Sequence, residues 1–186
     1  PRSTLFPYTT LFRSLLPAMR AAGLPADPVA QQVLRERLSR LKLPPAPGAA
    51  SSPQANEWVG KRYTFHQNDS MIESVRLESV DGGEVTLSVR REGVEQRLVS
   101  THGDWRENLF SLGATPAQRA AVSGAWVGED TYVAKVCFHE SPHHLTLRMR
   151  FGGDELLLDA EYNVAFGPTK LPQLIGRVQC ESKVVQ

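Results

Sequence analysis

The sequence predicts an all-β fold: an antiparallel β-barrel preceded by an N-terminal helix and a linker. Three observations point to it. After Trp58 the hydrophobic period changes from helical to alternating, the gaps between alternating segments carry hairpin residues, and the segments are short and regularly spaced.

Four segments alternate clearly. Val85, Leu87 and Val89 alternate with Thr86, Ser88 and Arg90. Tyr132, Ala134, Val136 and Phe138 alternate with Thr131, Lys135 and His139, with Val133 and Cys137 the less polar outer members. Leu145, Leu147, Met149 and Phe151 alternate with His144, Thr146, Arg148 and Arg150. Leu156, Leu158, Ala160 and Tyr162 alternate with Glu155, Asp159 and Glu161. One apolar and one wet face per strand is the antiparallel signature. Asp81-Gly82-Gly83, Glu92-Gly93, Ser141-Pro142 and Gly152-Gly153-Asp154 supply the turns. A consistent inner face along successive hairpins favours a barrel, because closure removes exposed edges. Residues 108–120 read as one long loop, with a short helical turn after Thr115-Pro116.

Upstream, Asp27-Pro28 reads as a helix start, with Asp as N-cap and Pro at the first helical position. Val29, Val33, Leu34, Leu38 and Leu41 form one apolar stripe, and Arg35, Arg37, Arg40 and Lys42 a solvated basic side. Pro44-Pro45 should stop this helix near Leu43, since the residue before a proline avoids the α region. Residues 44–56 (PPAPGAASSPQAN) read as an interdomain linker with nothing to bury. The expected division is residues 15–43 as the remnant of a preceding domain's end and a connector helix, 44–56 as linker, 57–178 as barrel and 179–186 as tail. Thr4-Leu-Phe-Pro-Tyr-Thr-Thr-Leu-Phe-Arg-Ser14 looks like the conceptual translation of a common sequencing adapter, so residues 1–14 are set aside from fold reasoning. That reading implies a frame cut upstream.

Composition excludes several classes. With 41% hydrophobic and 22% charged residues the chain is ordinary globular protein. A net charge of +1 creates no field toward nucleic acid or an anionic membrane. The charge is uneven, with residues 1–57 at +4 and 58–186 at −3. Cys137 and Cys180 are too few for a disulfide framework or a four-thiolate zinc site; two free thiols in a reducing cytoplasm is the preferred reading over a single bridge. No apolar run reaches the ~20 residues of a membrane span.

Two motifs look like chemistry in the wrong setting. His139-Glu140-Ser141-Pro142-His143 matches H-E-x-x-H, in which a helix puts two zinc-ligating histidines on one face. Pro142 would break that helix and both flanks alternate like strands, so the histidines are expected at a hairpin tip. Ser39-Arg40-Leu41-Lys42 matches the S-x-x-K nucleophile motif, but ends an amphipathic helix instead of opening a buried one. There is no Gly-x-Ser-x-Gly elbow or glycine-rich phosphate loop, Tyr162-Asn163 is not a Tyr-x-Asn, and no acid/base pair stands out. No catalytic, cofactor-binding or metal-ligating residue is therefore assigned, and no cofactor is expected. Trp58, Trp105, Trp126, Phe138, Phe151, Tyr162 and Phe166 either line a ligand cavity, as in lipocalin-like barrels, or fill a small barrel; filling is preferred.

Ser123-Gly-Ala-Trp126, Glu129-Asp-Thr131, Phe138-x-Glu140 and Asn163-Val-Ala-Phe-Gly-Pro-Thr-Lys-Leu-Pro172, in that order, resemble the C-terminal domain of bacterial serine hydrolases of the class C β-lactamase and penicillin-binding-protein superfamily. Leu15-Leu-Pro-Ala-Met19 resembles the end of that family's catalytic domain; Leu24-Pro25, Asp27-Pro28 and Leu43-Pro-Pro-Ala-Pro-Gly48 resemble the connector. The resemblance implies a parent with a serine nucleophile, a lysine partner and a tyrosine base, acting on esters, amides or peptides. None of those residues maps onto this chain. It implies a non-catalytic accessory barrel whose partner is a missing N-terminal hydrolase domain, with homo-oligomer contacts a further role. The alternative is a free-standing, lipocalin-like barrel for a small apolar ligand. A metalloprotease is a third reading, should the histidines converge on a metal.

Overall fold

The computed structural model describes residues 13, 16–19, 23, 25–111 and 117–179 of the chain. The adapter-like tract, apart from Arg13, lies outside these residues, as do Cys180 and residues 112–116, where the turn after Thr115-Pro116 was expected. The chain forms two compact units that meet at Leu43/Pro44.

The first unit holds a single helical turn, Leu16–Ala18, and helix α1, Pro28–Ser39. Asp27 caps α1 as its sequence demands: its carboxylate accepts from the Ala30 amide at 2.9 Å, and Pro28 opens the helix where no amide is needed. The helix ends at Ser39, short of Leu43, its last turn tightening into bonds from Arg40 N–H to Arg37 and from Leu41 N–H to Leu38. No residue of α1 is buried, and Val29, Val33, Leu34 and Leu38 are all exposed.

The second unit opens with a one-turn helix, α2 (Ala55–Trp58), followed by ten strands. These are β1 (Arg62–Phe65), β2 (Ile72–Asp81), β3 (Glu84–Arg91), β4 (Val94–Thr101), β5 (Arg106–Phe110), β6 (Gln118–Trp126), β7 (Thr131–Phe138), β8 (His144–Gly152), β9 (Glu155–Tyr162) and β10 (Leu174–Val178). The sheet runs β4-β3-β2-β1-β10-β9-β8-β7-β6-β5, and it closes where Thr101 on the end strand β4 pairs with Ser123 on β6, the strand next to the other end. The result is the expected mostly-β, closed, lipocalin-like barrel. Among the described residues no helix is long and apolar enough to cross a membrane.

The four alternating segments are β3, β7, β8 and β9, with their apolar members facing the core. The turns behave as their residues dictate. Gly82 and Gly83 between β2 and β3, and Glu92 and Gly93 between β3 and β4, all have positive φ. Two such central residues match the right-handed twist of the flanking strands.

Two expectations are corrected. The loop over residues 108–120 shrinks, since Asn108 lies in β5 and Ala120 in β6. Residues 44–56 do bury surface. Ala46 and Ser52 are buried, the Ala46 amide bonds the Ser123 hydroxyl, and Ala49 exchanges both backbone hydrogen bonds with Trp126. Gly48 has φ +147, and a Cβ there would meet the Trp126 carbonyl and Ala125. The segment is a strap fastened to β6. The outward residues of β6 and β7 beneath it, Ala125 and Val133, are accordingly small or apolar and buried.

Candidate functional site

The barrel interior divides into two halves of different chemistry. One is aromatic. Trp58, delivered by α2 at the end of the strap, stacks on Phe151 at 4.9 Å and on Trp126 at 5.8 Å. Tyr63 and Tyr132 complete the group, at 5.8 Å from Phe151 and 5.0 Å from Trp126. All five rings are buried. Offset and tilted contacts at these separations add about 0.5–1.5 kcal/mol per pair beyond area burial. This half is plugged by the chain's own side chains, as the filling interpretation expects. Gly124 makes room for it, since a Cβ there would run into the Tyr132 hydroxyl.

The other half is mostly aliphatic, with Phe110 the one aromatic residue on its wall. Ile72, Val75, Leu87, Val89, Leu147 and Met149 are among the residues enclosing a void of about 10 Å³. That is room for roughly one water molecule, yet the walls offer no polar partner, so the space is dry. Outside it lies an open groove of about 810 Å³ along the β1–β2 connection, bordered by His66, Asn68, Asp69, Met71 and Glu73. Ile72 lines both spaces.

The connection itself is pinned by one side chain. Asn68 Nδ2 donates to the carbonyls of His66 and Ile72, each at 2.8 Å, and its Oδ1 accepts from the Ile72 amide at 3.2 Å. Met71 takes φ +54 and is exposed beside it. Glu73 is anchored by the Gly93 amide and by Arg90, which together hold its carboxyl below the usual range. Phe65, also on the groove, lies over Gly176, whose missing side chain admits the ring.

The motif residues lie elsewhere. His139 to His143 occupy the β7–β8 turn, with the Phe138 amide bonding the His143 carbonyl across it. They lie on no helix, and no group of three metal-ligating side chains occurs among the described residues. Ser39 ends α1 with its hydroxyl on the Glu36 carbonyl, and Lys42 is exposed. Of the aromatic set, Trp58, Trp126, Phe138 and Phe151 are buried, Trp105 and Tyr162 half-buried, and Phe166 fully exposed. Cys137 is an unpaired, half-buried thiol whose pKa burial raises.

The part of the wall outside the sequence expectation is Phe110 and the β2 residues Ile72 and Val75. Ile72, Val75 and Leu77 belong to β2, where register shifts between Ile72 and Ser74 and between Leu77 and Ser79 break the alternation. Each bulge inserts one residue and hides the period of two. The spacing of Ile72, Val75, Leu77 and Val80 is the trace they leave.

No family model matches the sequence, and no curated protein matches it. Solved structures do match. A fatty-acid-binding protein from brain tissue of Drosophila melanogaster, crystallised without citrate inside, is 11% identical with a TM-score of 0.50. The match covers 65% of this chain and 99% of that one. Fatty-acid-binding protein 1 of Echinococcus granulosus is 8% identical with a TM-score of 0.50, covering 67% of this chain and 99% of that one. At such identities the likeness is one of fold.

It corrects the resemblance to a β-lactamase-related hydrolase domain, together with the inferred hydrolase parent and missing catalytic partner. This barrel matches nearly the whole length of fatty-acid-binding proteins, and neither sequence comparison supports a hydrolase family. The motifs behind that resemblance have structural duties here. Ser123 to Trp126 end β6 beneath the strap, and residues 163–172 connect β9 to β10.

Proposed function

We propose that this barrel is a binding protein for a small apolar molecule, taken into the aliphatic half behind Ile72. The observation that carries the reading is a wholly apolar void that shares Ile72 as a lining residue with an open groove. The likeness in fold to fatty-acid-binding proteins supports it. In its closed form the void is too small for an alkyl chain, so binding requires side chains to move. Met149 suits that task, being unbranched and adaptable. With no polar group on the wall, the ligand's buried part must be hydrocarbon, since an unpaired polar atom there would cost about 1–3 kcal/mol. The ligand is held, not transformed. The free Cys137 thiol fits a reducing, cytoplasmic setting.

The test is titration with 1-anilinonaphthalene-8-sulfonate, followed by displacement with octanol. Saturable, blue-shifted emission is expected from the wild type, reversed by octanol, and strongly reduced in Val89→Phe, which fills the void. Absence of saturable binding, or equal binding by a folded Val89→Phe variant, would refute the reading.

A further inference from the structure

On the outer wall, away from the chamber, β1 and β2 place two arginines directly opposite each other: Arg62 pairs in register with Arg76. Like charges in that relation repel, and a native sheet normally answers them with a counter-charge. Arg62 has one, with Glu95 at 3.4 Å and the Ser74 hydroxyl at 3.3 Å. Among the described residues Arg76 has none: its Nε is buried without a hydrogen-bond partner, and no ion pair reaches its guanidinium. Its other cross-strand neighbour, Ser88, spends its hydroxyl on Glu78 and Glu95. A buried guanidinium N–H left unmade costs more than a neutral donor would.

Arg76 does face open space. With Gly60, Lys61, Arg62, Val178 and Gln179 it lines a cleft of about 430 Å³ between β2, β1 and β10. Among the described residues three cations and no carboxylate border this cleft. Lys61 spends one donor on the Gly153 carbonyl at 3.3 Å and keeps two. The Gly60 turn, at φ +84, brings the chain past the cleft without a side chain.

We propose that this cleft binds a small oxyanion, a phosphate or carboxylate group, with Arg76 as its principal donor and Lys61 and Arg62 beside it. A guanidinium fork matches the geometry of either anion, and the bond is charge-assisted. The anion meets the Arg76 guanidinium from the cleft and offsets the Arg62–Arg76 repulsion.

The experiment is calorimetric titration of inorganic phosphate and, separately, acetate into the full chain at constant ionic strength in chloride. Saturable binding of at least one is expected. Arg76→Gln should weaken it roughly tenfold or more, and Lys61→Gln should weaken it less. Arg97→Gln, whose arginine pairs with Glu78 outside the cleft, should leave it unchanged. Arg76→Gln should also melt higher than wild type in chloride and lose that advantage in phosphate, because only the wild type gains the ligand. No saturable binding of either anion, or equal binding by wild type and Arg76→Gln, overturns the proposal. So does binding that appears only once residues 180–186 are removed, which would make the chain's own tail the occupant.

Discussion

The side-chain amide of Asn108 holds both backbone groups of Val99. Its Oδ1 accepts from the Val99 amide at 2.8 Å and its Nδ2 donates to the Val99 carbonyl at 2.7 Å. Asn108 lies on β5 and Val99 on β4, the two strands at the ends of the sheet order, which share no backbone ladder. Gln96 does the same for Ser111, accepting from its amide at 2.9 Å and donating to its hydroxyl at 3.2 Å. The barrel is thus closed along this seam by carboxamides standing in for peptide groups.

Asn108→Ala should therefore cost about 1–3 kcal/mol, since it leaves a part-buried N–H and C=O unpaired. Denaturant unfolding measures the loss, and hydrogen exchange should show the Val99 amide opening faster while amides in β8 and β9 keep their protection. An unchanged midpoint would mean that the seam does not contribute to closure.

Tyr132 and Ser100 bridge the same region from inside, their hydroxyls 2.7 Å apart, with Ser100 also 3.0 Å from the Val85 carbonyl. Gly124 lies beneath the Tyr132 ring. Tyr132→Phe should cost about 1 kcal/mol for the lost bond. Gly124→Ala should cost more, roughly 1–3 kcal/mol, because the ring must leave its place. The ordering of the two midpoints is the check; a neutral Gly124→Ala would show that the ring has room to move.

Burial pushes the hydroxyls of Tyr63 and Tyr132 up to about 12 from 10.0, with Asp154 adding to the effect at Tyr63. A pKa raised on folding means the native state keeps its proton where the unfolded chain has lost it. The associated stability is fully present below pH 10 and falls as pH rises toward 12. For Tyr132 a shift of two units corresponds to roughly 2–3 kcal/mol. Equilibrium unfolding between pH 9 and 12 should show a steep loss that is shallower in Tyr132→Phe. Equal slopes would show that Tyr132 ionises alike in the folded and unfolded states.

The barrel was legible because β3, β7, β8 and β9 face water on one side and core on the other. The strands that escaped notice break that rule for identifiable reasons. β2 is bulged twice. The outer residues of β6, Ala121, Ser123 and Ala125, are as small as inner Ala120 and Gly124, and the strap covers part of that face. β4 turns polar Ser100 inward to meet Tyr132. The strap was misread because a Pro/Ala/Ser tract carries no periodicity, and its attachment runs through backbone groups and Ser hydroxyls. Of the chamber, Leu87, Val89, Leu147, Met149 and Leu158 were readable as inward-facing residues. That they enclose a space, while Trp58 and Phe151 fill theirs, depends on which rings reach one another across the barrel, which strand periodicity does not encode.

The H-E-x-x-H residues lie on a hairpin turn, so a zinc-dependent structure is not expected. Prolonged dialysis against EDTA should leave the melting temperature of the purified chain unchanged. A clear drop that zinc restores would mean the turn rearranges around a metal.

Truncation separates the two roles of the N-terminal third. No residue of α1 is buried and the chain divides at Leu43/Pro44, so removing residues 1–43 should leave the midpoint of barrel unfolding where it was. Removing residues 1–56 is different. It takes away the Ala49–Trp126 backbone pair, the Ala46 amide bond to Ser123, and the Ser52 hydroxyl bond to the Glu129 carbonyl. It also exposes Ala125 and Val133 and frees the start of the turn that delivers Trp58. Each lost hydrogen bond is worth about 0.5–1.5 kcal/mol net, so the combined loss should reach several kcal/mol. Trp58→Ala in the full-length chain should cost about 3–5 kcal/mol by leaving a cavity against Phe151 and Trp126. If the strap works by seating Trp58, the 1–56 deletion and Trp58→Ala should combine to less than the sum of their separate losses, because one undoes part of what the other removes. Full additivity would make the strap an independent brace on β6, and an unchanged midpoint in the 1–56 deletion would restore its reading as a linker.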